Sequence, residues 1–306
     1  MHKTPKKVYL FVASCALIFS TMEIALKFAG TSMDPFQITF LRFIIGGIAL
    51  VPFAIHESKN KPKGFLTGKL LLFLVCLGAV IVPFCMILFQ IGVMRSNAAT
   101  SAVIFCSNPI FTMLAAHFLT KDDKLTRNKL TALILGAIGL LFMIRPWDIQ
   151  EGNTLSGALL SLLAAVIFGV YGVVGGKTIK RVGVFTQTSL TFIFGALILL
   201  CIMPPLGRPI LTGLEGELGI LLYVSLVVTC GGYLTYFMAI KYSNATTASV
   251  TFFLKPVIAP ILAVLIVHET ITYNMYIGIA LILVASYIMT FRKQVPKIDQ
   301  KENLDA

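Results

Sequence analysis

The chain has 306 residues, of which 57% are hydrophobic and only 12% charged, with a mean hydropathy of +0.90. A soluble domain of this length carries about a quarter charged residues, so most of this apolar surface cannot face water. That composition excludes an ordinary soluble protein and points to a polytopic membrane protein. The formal net charge of +12 does not mark a nucleic-acid binder, because the basic residues fall in short clusters between apolar runs.

A hydrocarbon core of roughly 30 Å needs about 20 helical residues per crossing. The first apolar run, 8–29, follows the basic start "MHKTPKK" as in a signal peptide, but runs on too long and is followed by further apolar segments. An uncleaved first span is expected. Span 1 carries Glu23, the single carboxylate in the interior of any span, and Lys27 one helical turn later. Span 2, 36–55, carries Arg42. The turn between these spans centres near 32–33, which puts Glu23 and Arg42 at equal depth on adjacent helices. An ion pair, or a triad with Lys27, is expected there, as part of the outward gate or of the solute's polar contacts.

Span 3 covers 70–93. Span 4, 98–119, opens with Asn97 as a candidate cap and contains Phe105, Asn108 and Pro109; span 5 covers 129–145. Span 6, 156–178, contains Tyr171 and the small-residue run "GVYGVVGGK", whose Gly172 and Gly176 suit close helix packing. That run falls short of a phosphate-binding loop, since its first glycine would have to replace Tyr171. Spans 7 and 8 cover 185–204 and 217–240, the latter with Tyr233 and Tyr236. Span 9, 246–267, follows the candidate cap Asn244 and carries Phe252, Phe253, Lys255 and Pro256, and span 10 covers 273–292. The six cysteines all lie in apolar runs without C-x-x-C spacing and read as packing residues.

Short connections make neighbouring spans antiparallel. With both termini in the cytoplasm, 18 of the 25 Lys and Arg lie on the inner side, 3 on the outer side and 4 within spans, as the positive-inside rule requires. Trp147 then sits at the outer interface.

Lys255 lies about nine residues into span 9, roughly 14 Å deep. A lysine there costs about 2.5–3.5 kcal/mol on insertion scales. Pro256 removes one N–H and frees the carbonyl of Phe252. Kinks are expected at Pro109 and Pro256. The expected role of Lys255 is to line a wet central cavity and face an anionic group of a solute, with Asn108 hydrogen-bonding from the other half. A lysine held by helix-end carbonyls is the alternative. Lys255→Ala should then abolish transport and leave folding intact. Lys27 and Lys177 lie near span ends and can snorkel. Tyr171, Tyr236 and Phe252 would line the same cavity, and four cations within spans against one carboxylate favour an anionic solute.

"SNAATSA" at 96–102 matches "SNATTAS" at 243–249 with an offset of 147, which Pro109 and Pro256 share. Lys27 corresponds to Lys177, and "LRFIIGG" (41–47) to "LTFIFGA" (190–196). The chain thus divides into two five-span copies, 8–145 and 156–292, with a cytoplasmic tail at 293–306. Five being odd, the second copy enters the membrane from the other side, the arrangement that alternating access about a midplane site uses.

The stretch "MEIALKFAG…DPFQITFLRF" with Lys27, Pro35 and Arg42, the "NPIFTMLAAHFL" of span 4, and "LKPVIAPILAVLIVHETIT" with Glu269 resemble, in this order, the EamA group of the drug/metabolite transporter superfamily. The first copy departs from the pattern at "TKDDKLT", where Asp123 stands in place of a usual Gly-Glu pair. The resemblance implies an all-α membrane protein of ten spans in two inverted repeats, acting as a secondary transporter in the cytoplasmic membrane. Similar members move amino acids, nucleosides, sugars, amines and carboxylates. Export is the direction it implies. An exporter of amino acids or related carboxylate-bearing solutes is therefore expected. An exchanger of phosphorylated or nucleotide-like solutes, or a non-transporting lipid-handling or accessory bundle, are the alternatives. The expected partners are a small organic solute, membrane lipid and a coupling proton or counter-substrate, in a monomer or homodimer, with no nucleic acid. His2, His56, His117 and His268 are scattered, and no HExxH or nucleophile motif is present, so no catalytic residue, metal, cofactor or enzyme activity is expected.

Overall fold

In a computed structural model of the chain, the described residues are 6–59, 61–62, 64–96, 101, 104–121, 125–144, 154–214, 216–267 and 273–291. All regular structure among them is helical. Among the described residues, six helices are long and apolar enough to cross a membrane: α1 (Lys7–Ala29), α2 (Pro35–Lys59), α3 (Gly68–Met94), α6 (Leu155–Val182), α7 (Val184–Ile202) and α8 (Leu218–Tyr242). The other apolar runs overlap helices α4 (Asn108–Leu119), α5 (Arg127–Ile144), α9 (Thr251–Val267) and α10 (Tyr273–Phe291).

Local chemistry starts and stops these helices. Pro35 occupies the first turn of α2, and the Asp34 carboxylate accepts from the Phe36 N–H at 2.8 Å. Thr67 and Thr154 cap α3 and α6 in the same way, and Asn244 caps the short turn Ala245–Ala248 ahead of α9. Asn97, Trp147, Asp123, Glu269 and the tail lie outside the described residues. Pro109 does not kink a continuous helix: the chain turns at 106–107 and α4 begins afresh at Asn108, so the proline sits where its missing N–H goes unused. α9, by contrast, runs unbroken through Pro256. α3 and α8 each widen into a π-helical segment, Val80–Met86 and Tyr223–Gly231, which overlap under the sequence repeat. Such segments shift the register of everything beyond them and are frequent at functional sites.

Bare backbone lets the central helices approach closely. A Cβ on Gly78 would stand 2.4 Å from the Thr191 carbonyl oxygen, and one on Gly195 2.4 Å from that of Gly78, so α3 and α7 cross with their backbones in contact. At the equivalent crossing of α8 and α2, Gly46 faces the Ser225 carbonyl oxygen. α2 and α7 lie side by side and are tied at both ends. At the Lys-rich end the Glu57 carboxylate accepts from the Val184 and Thr186 N–H groups at 3.0 and 2.9 Å. At the opposite end Arg208 pairs with Asp34 at 3.1 Å, and Gln37 donates to the Thr212 carbonyl at 2.7 Å.

Positions equated by the repeat touch one another. Phe43 meets Phe192 edge-on at 4.7 Å between ring centroids, Phe105 meets Phe252 at 5.7 Å, and the Tyr233 hydroxyl donates to the Met86 sulfur at 3.3 Å.

Candidate functional site

The centre of the bundle is aromatic. Phe168 of α6 packs against Tyr171, Tyr233, Tyr236, Phe105 and Phe252, with centroids 5.3 to 6.0 Å apart. Phe19, Phe43 and Phe192 extend the cluster around Tyr233. The structure thus gathers Tyr171, Tyr236 and Phe252 into one buried group.

Charges sit within this cluster. Lys255 of α9 is fully buried and bonds to Glu23 of α1, itself 1% exposed. The ammonium also lies 5.5 Å from the centroid of Phe105. This overturns the expected Glu23–Arg42 pair and the expected exposure of Lys255 to a wet chamber. The reason is reach: four methylenes carry the ammonium across from α9 to α1, while the Arg42 guanidinium lies 4.8 Å over the ring of its neighbour Phe43. The Lys27 ammonium donates to the Ser96 carbonyl at 2.8 Å and reaches that of Val93 at 3.4 Å. Lys177 similarly reaches the Leu119 carbonyl.

Asn108 is occupied by the fold. Its amide donates to the Ala165 carbonyl at 3.1 Å and its oxygen accepts from the Thr112 hydroxyl at 3.0 Å. Asn108 therefore ties α4 to α6, as Lys255 ties α9 to α1.

Arg42 is different. Its side chain is fully buried, and none of its three guanidinium nitrogens has a hydrogen-bond partner among the described residues. It lies within electrostatic range of Glu23 and beside Tyr233 without bonding to either. The second oxygen of Glu23 is likewise unpartnered. With Lys255 and Glu23 neutralising each other, the centre holds one surplus positive charge. A buried guanidinium without partners costs several kcal/mol, and a bound anion would offset that cost. Other buried polar atoms without partners among the described residues include the Tyr236 hydroxyl, both amide atoms of Gln187 and the Gln90 oxygen. Gln187 and Gln90 were not singled out from sequence. The available signal was an amide side chain inside an apolar run, which is as unusual there as a charge.

Comparison with known proteins identifies the family. The model of the EamA-like transporter family matches residues 6–145 and again 155–291. The chain is 36% identical over 290 residues to an uncharacterized transporter of Clostridium kluyveri, covering 92% of this chain and 93% of the relative. It is 23% identical to an S-adenosylmethionine uptake transporter of Rickettsia prowazekii, over 90% of this chain and 89% of that one. A solved crystal structure at 18% identity superposes with a TM-score of 0.71, covering 92% of this chain and 96% of its own. The chain is a multi-pass membrane protein and belongs to the EamA-like transporter family.

Proposed function

We propose that this transporter carries a small organic solute bearing an anionic group, such as a carboxylate, across the cell membrane, with Arg42 as the group that receives the anion. One observation carries the reading: a fully buried guanidinium whose donors have no partner. Glu23 and Lys255 lie alongside as a paired carboxylate and ammonium, and a zwitterionic solute complements them without altering the total charge. The aromatic cluster suits an apolar or ring-bearing body.

The architecture we propose is ten spans in two inverted five-helix repeats, 8–145 and 156–292, with both termini cytoplasmic. The contacts between equated residues support it. A position that touches its own counterpart must lie beside a two-fold axis, and Phe43–Phe192, Met86–Tyr233 and Phe105–Phe252 all do so. An axis through the binding centre makes its two access routes equivalent in geometry, which favours alternating access.

Amino acids remain the leading class. A purine-bearing solute is the second reading, favoured by the aromatic cluster and by relatives named for S-adenosylmethionine, a molecule with an amino-acid head and a purine ring. The export direction implied by the resemblance finds no support in those relatives, which are named for uptake.

The test is flux of labelled carboxylates, amino acids and nucleosides into proteoliposomes, with Arg42→Leu and Arg42→Lys beside the wild type. Arg42→Leu is expected to lose binding of the anion by about a hundredfold, from the loss of a bidentate charged contact. Arg42→Lys recovers part of it. Unchanged flux through Arg42→Leu overturns the assignment, and absence of flux of any solute favours an accessory bundle instead.

A further inference from the structure

Within the glycine run of α6, Gly172 and Gly175 face polar side chains of neighbouring helices. A Cβ on Gly172 would stand 2.5 Å from the Tyr236 hydroxyl oxygen, and one on Gly175 3.0 Å from the Gln187 amide nitrogen. These glycines lie one helical turn apart on the same face, so they make room for two polar heads from α8 and α7 over adjacent turns. Both side chains are fully buried, and the Tyr236 hydroxyl and both amide atoms of Gln187 have no hydrogen-bond partner among the described residues. Phe237 holds the two together, packing its ring against the Gly175 position and against Tyr171 and Tyr236. The hydroxyl of Tyr171 lies near Thr191 but short of hydrogen-bond geometry.

An amide and a phenol are costly to bury unpaired, and glycines that admit them at the expense of closer packing point to a ligand. The site also has a position. Gln187 lies one turn inside α7 from the Lys-rich end, and Arg42 two turns inside α2 from the opposite end. On helices lying side by side, that separates them by on the order of 10–15 Å. The repeat equates Arg42 with Thr191, Glu23 with Val173 and Lys255 with Asn108, so the half near Gln187 has neutral residues at each equivalent position.

We infer that Gln187 and Tyr236, over the Gly172–Gly175 face of α6, form a second, uncharged station that binds a neutral hydrogen-bonding group of the solute, such as a hydroxyl, carboxamide or ring nitrogen. This rests on the reading of Arg42 as the anion site and extends it: the solute is two-ended, with an anion at one end and a neutral polar group at the other.

The test uses matched probes on the purified full chain: phenylacetate against para-hydroxyphenylacetate, L-norleucine against L-glutamine, and the primary amides of the two arylacetates. Binding is measured to the wild type, Gln187→Leu, Tyr236→Phe and Arg42→Leu. The wild type is expected to prefer the polar member of each pair by roughly tenfold, the worth of one well-made buried hydrogen bond. Gln187→Leu and Tyr236→Phe should erase that preference, keep the affinity for the apolar member, and leave Tm unchanged or raised. No preference in the wild type, or a preference that survives both substitutions, overturns the second station. Acids that bind no better than their amides, or no worse to Arg42→Leu, overturn the anion site instead. Failure of every probe to bind overturns both.

Discussion

Lys255 and Glu23 stand 232 positions apart in sequence yet hold each other in the middle of the bundle, both buried. Removing one partner leaves the other charged and dry, which costs about 3–5 kcal/mol, whereas removing both leaves only a packing defect. Lys255→Ala is therefore expected to lower stability substantially, against the expectation from sequence that folding survives. Glu23→Ala/Lys255→Ala should recover much of the loss. Melting of the four proteins of this double-mutant cycle in one detergent measures the coupling, and additive losses would show that the pair is not formed. Arg42 predicts the reverse pattern: with no partner to orphan, Arg42→Leu should leave Tm unchanged or raise it while binding is lost.

At the scale of the helix, the start of α7 depends on a residue from α2. Glu57 accepts from two N–H groups of the first turn of α7 and from the Thr186 hydroxyl at 3.1 Å, doing for α7 what an N-cap side chain does locally for α2 and α6. The approach is possible because residue 183 is glycine. Its φ of +105° is unfavourable for a side chain, and a Cβ there would stand 2.2 Å from the Glu57 carboxyl carbon. Glu57→Ala is expected to cost about 1–2 kcal/mol, and Gly183→Ala at least as much because it combines strain with loss of the cap. Thermal melting ranks the two, and a neutral Gly183→Ala would mean that Glu57 can move without loss. The cap was not legible in the sequence, because nothing local to 183–186 announces a carboxylate supplied from residue 57.

For the whole molecule, the proposed orientation puts Pro62 on the cytoplasmic side and Thr31 and Thr212 outside. All three are exposed. In a background with the six cysteines replaced, Thr31→Cys and Thr212→Cys should react with a membrane-impermeant maleimide on intact cells, and Pro62→Cys only after permeabilisation. The opposite pattern would overturn the orientation. The ties between α2 and α7 at both ends, with Phe43 against Phe192 between them, hold this pair together along its length.

By itself the sequence determined the class of environment, the helical class, the repeat and the family, because each is written in local composition or in similarity between distant stretches. Hydrophobic runs have no alternative but lipid or core, and a duplicated motif remains visible when its halves are far apart. It also picked out the charged residues of the centre, since charges in apolar runs are conspicuous. Only the tertiary structure decided who pairs with whom. Lys255 finding Glu23, Arg42 left without a partner, Asn108 absorbed by Ala165, and Gln187 lodged over Gly175 all depend on how helices rotate and cross. Those angles follow from backbone contacts such as Gly78 against Gly195 and from the π-helical turns, and a one-dimensional reading of depth contains neither.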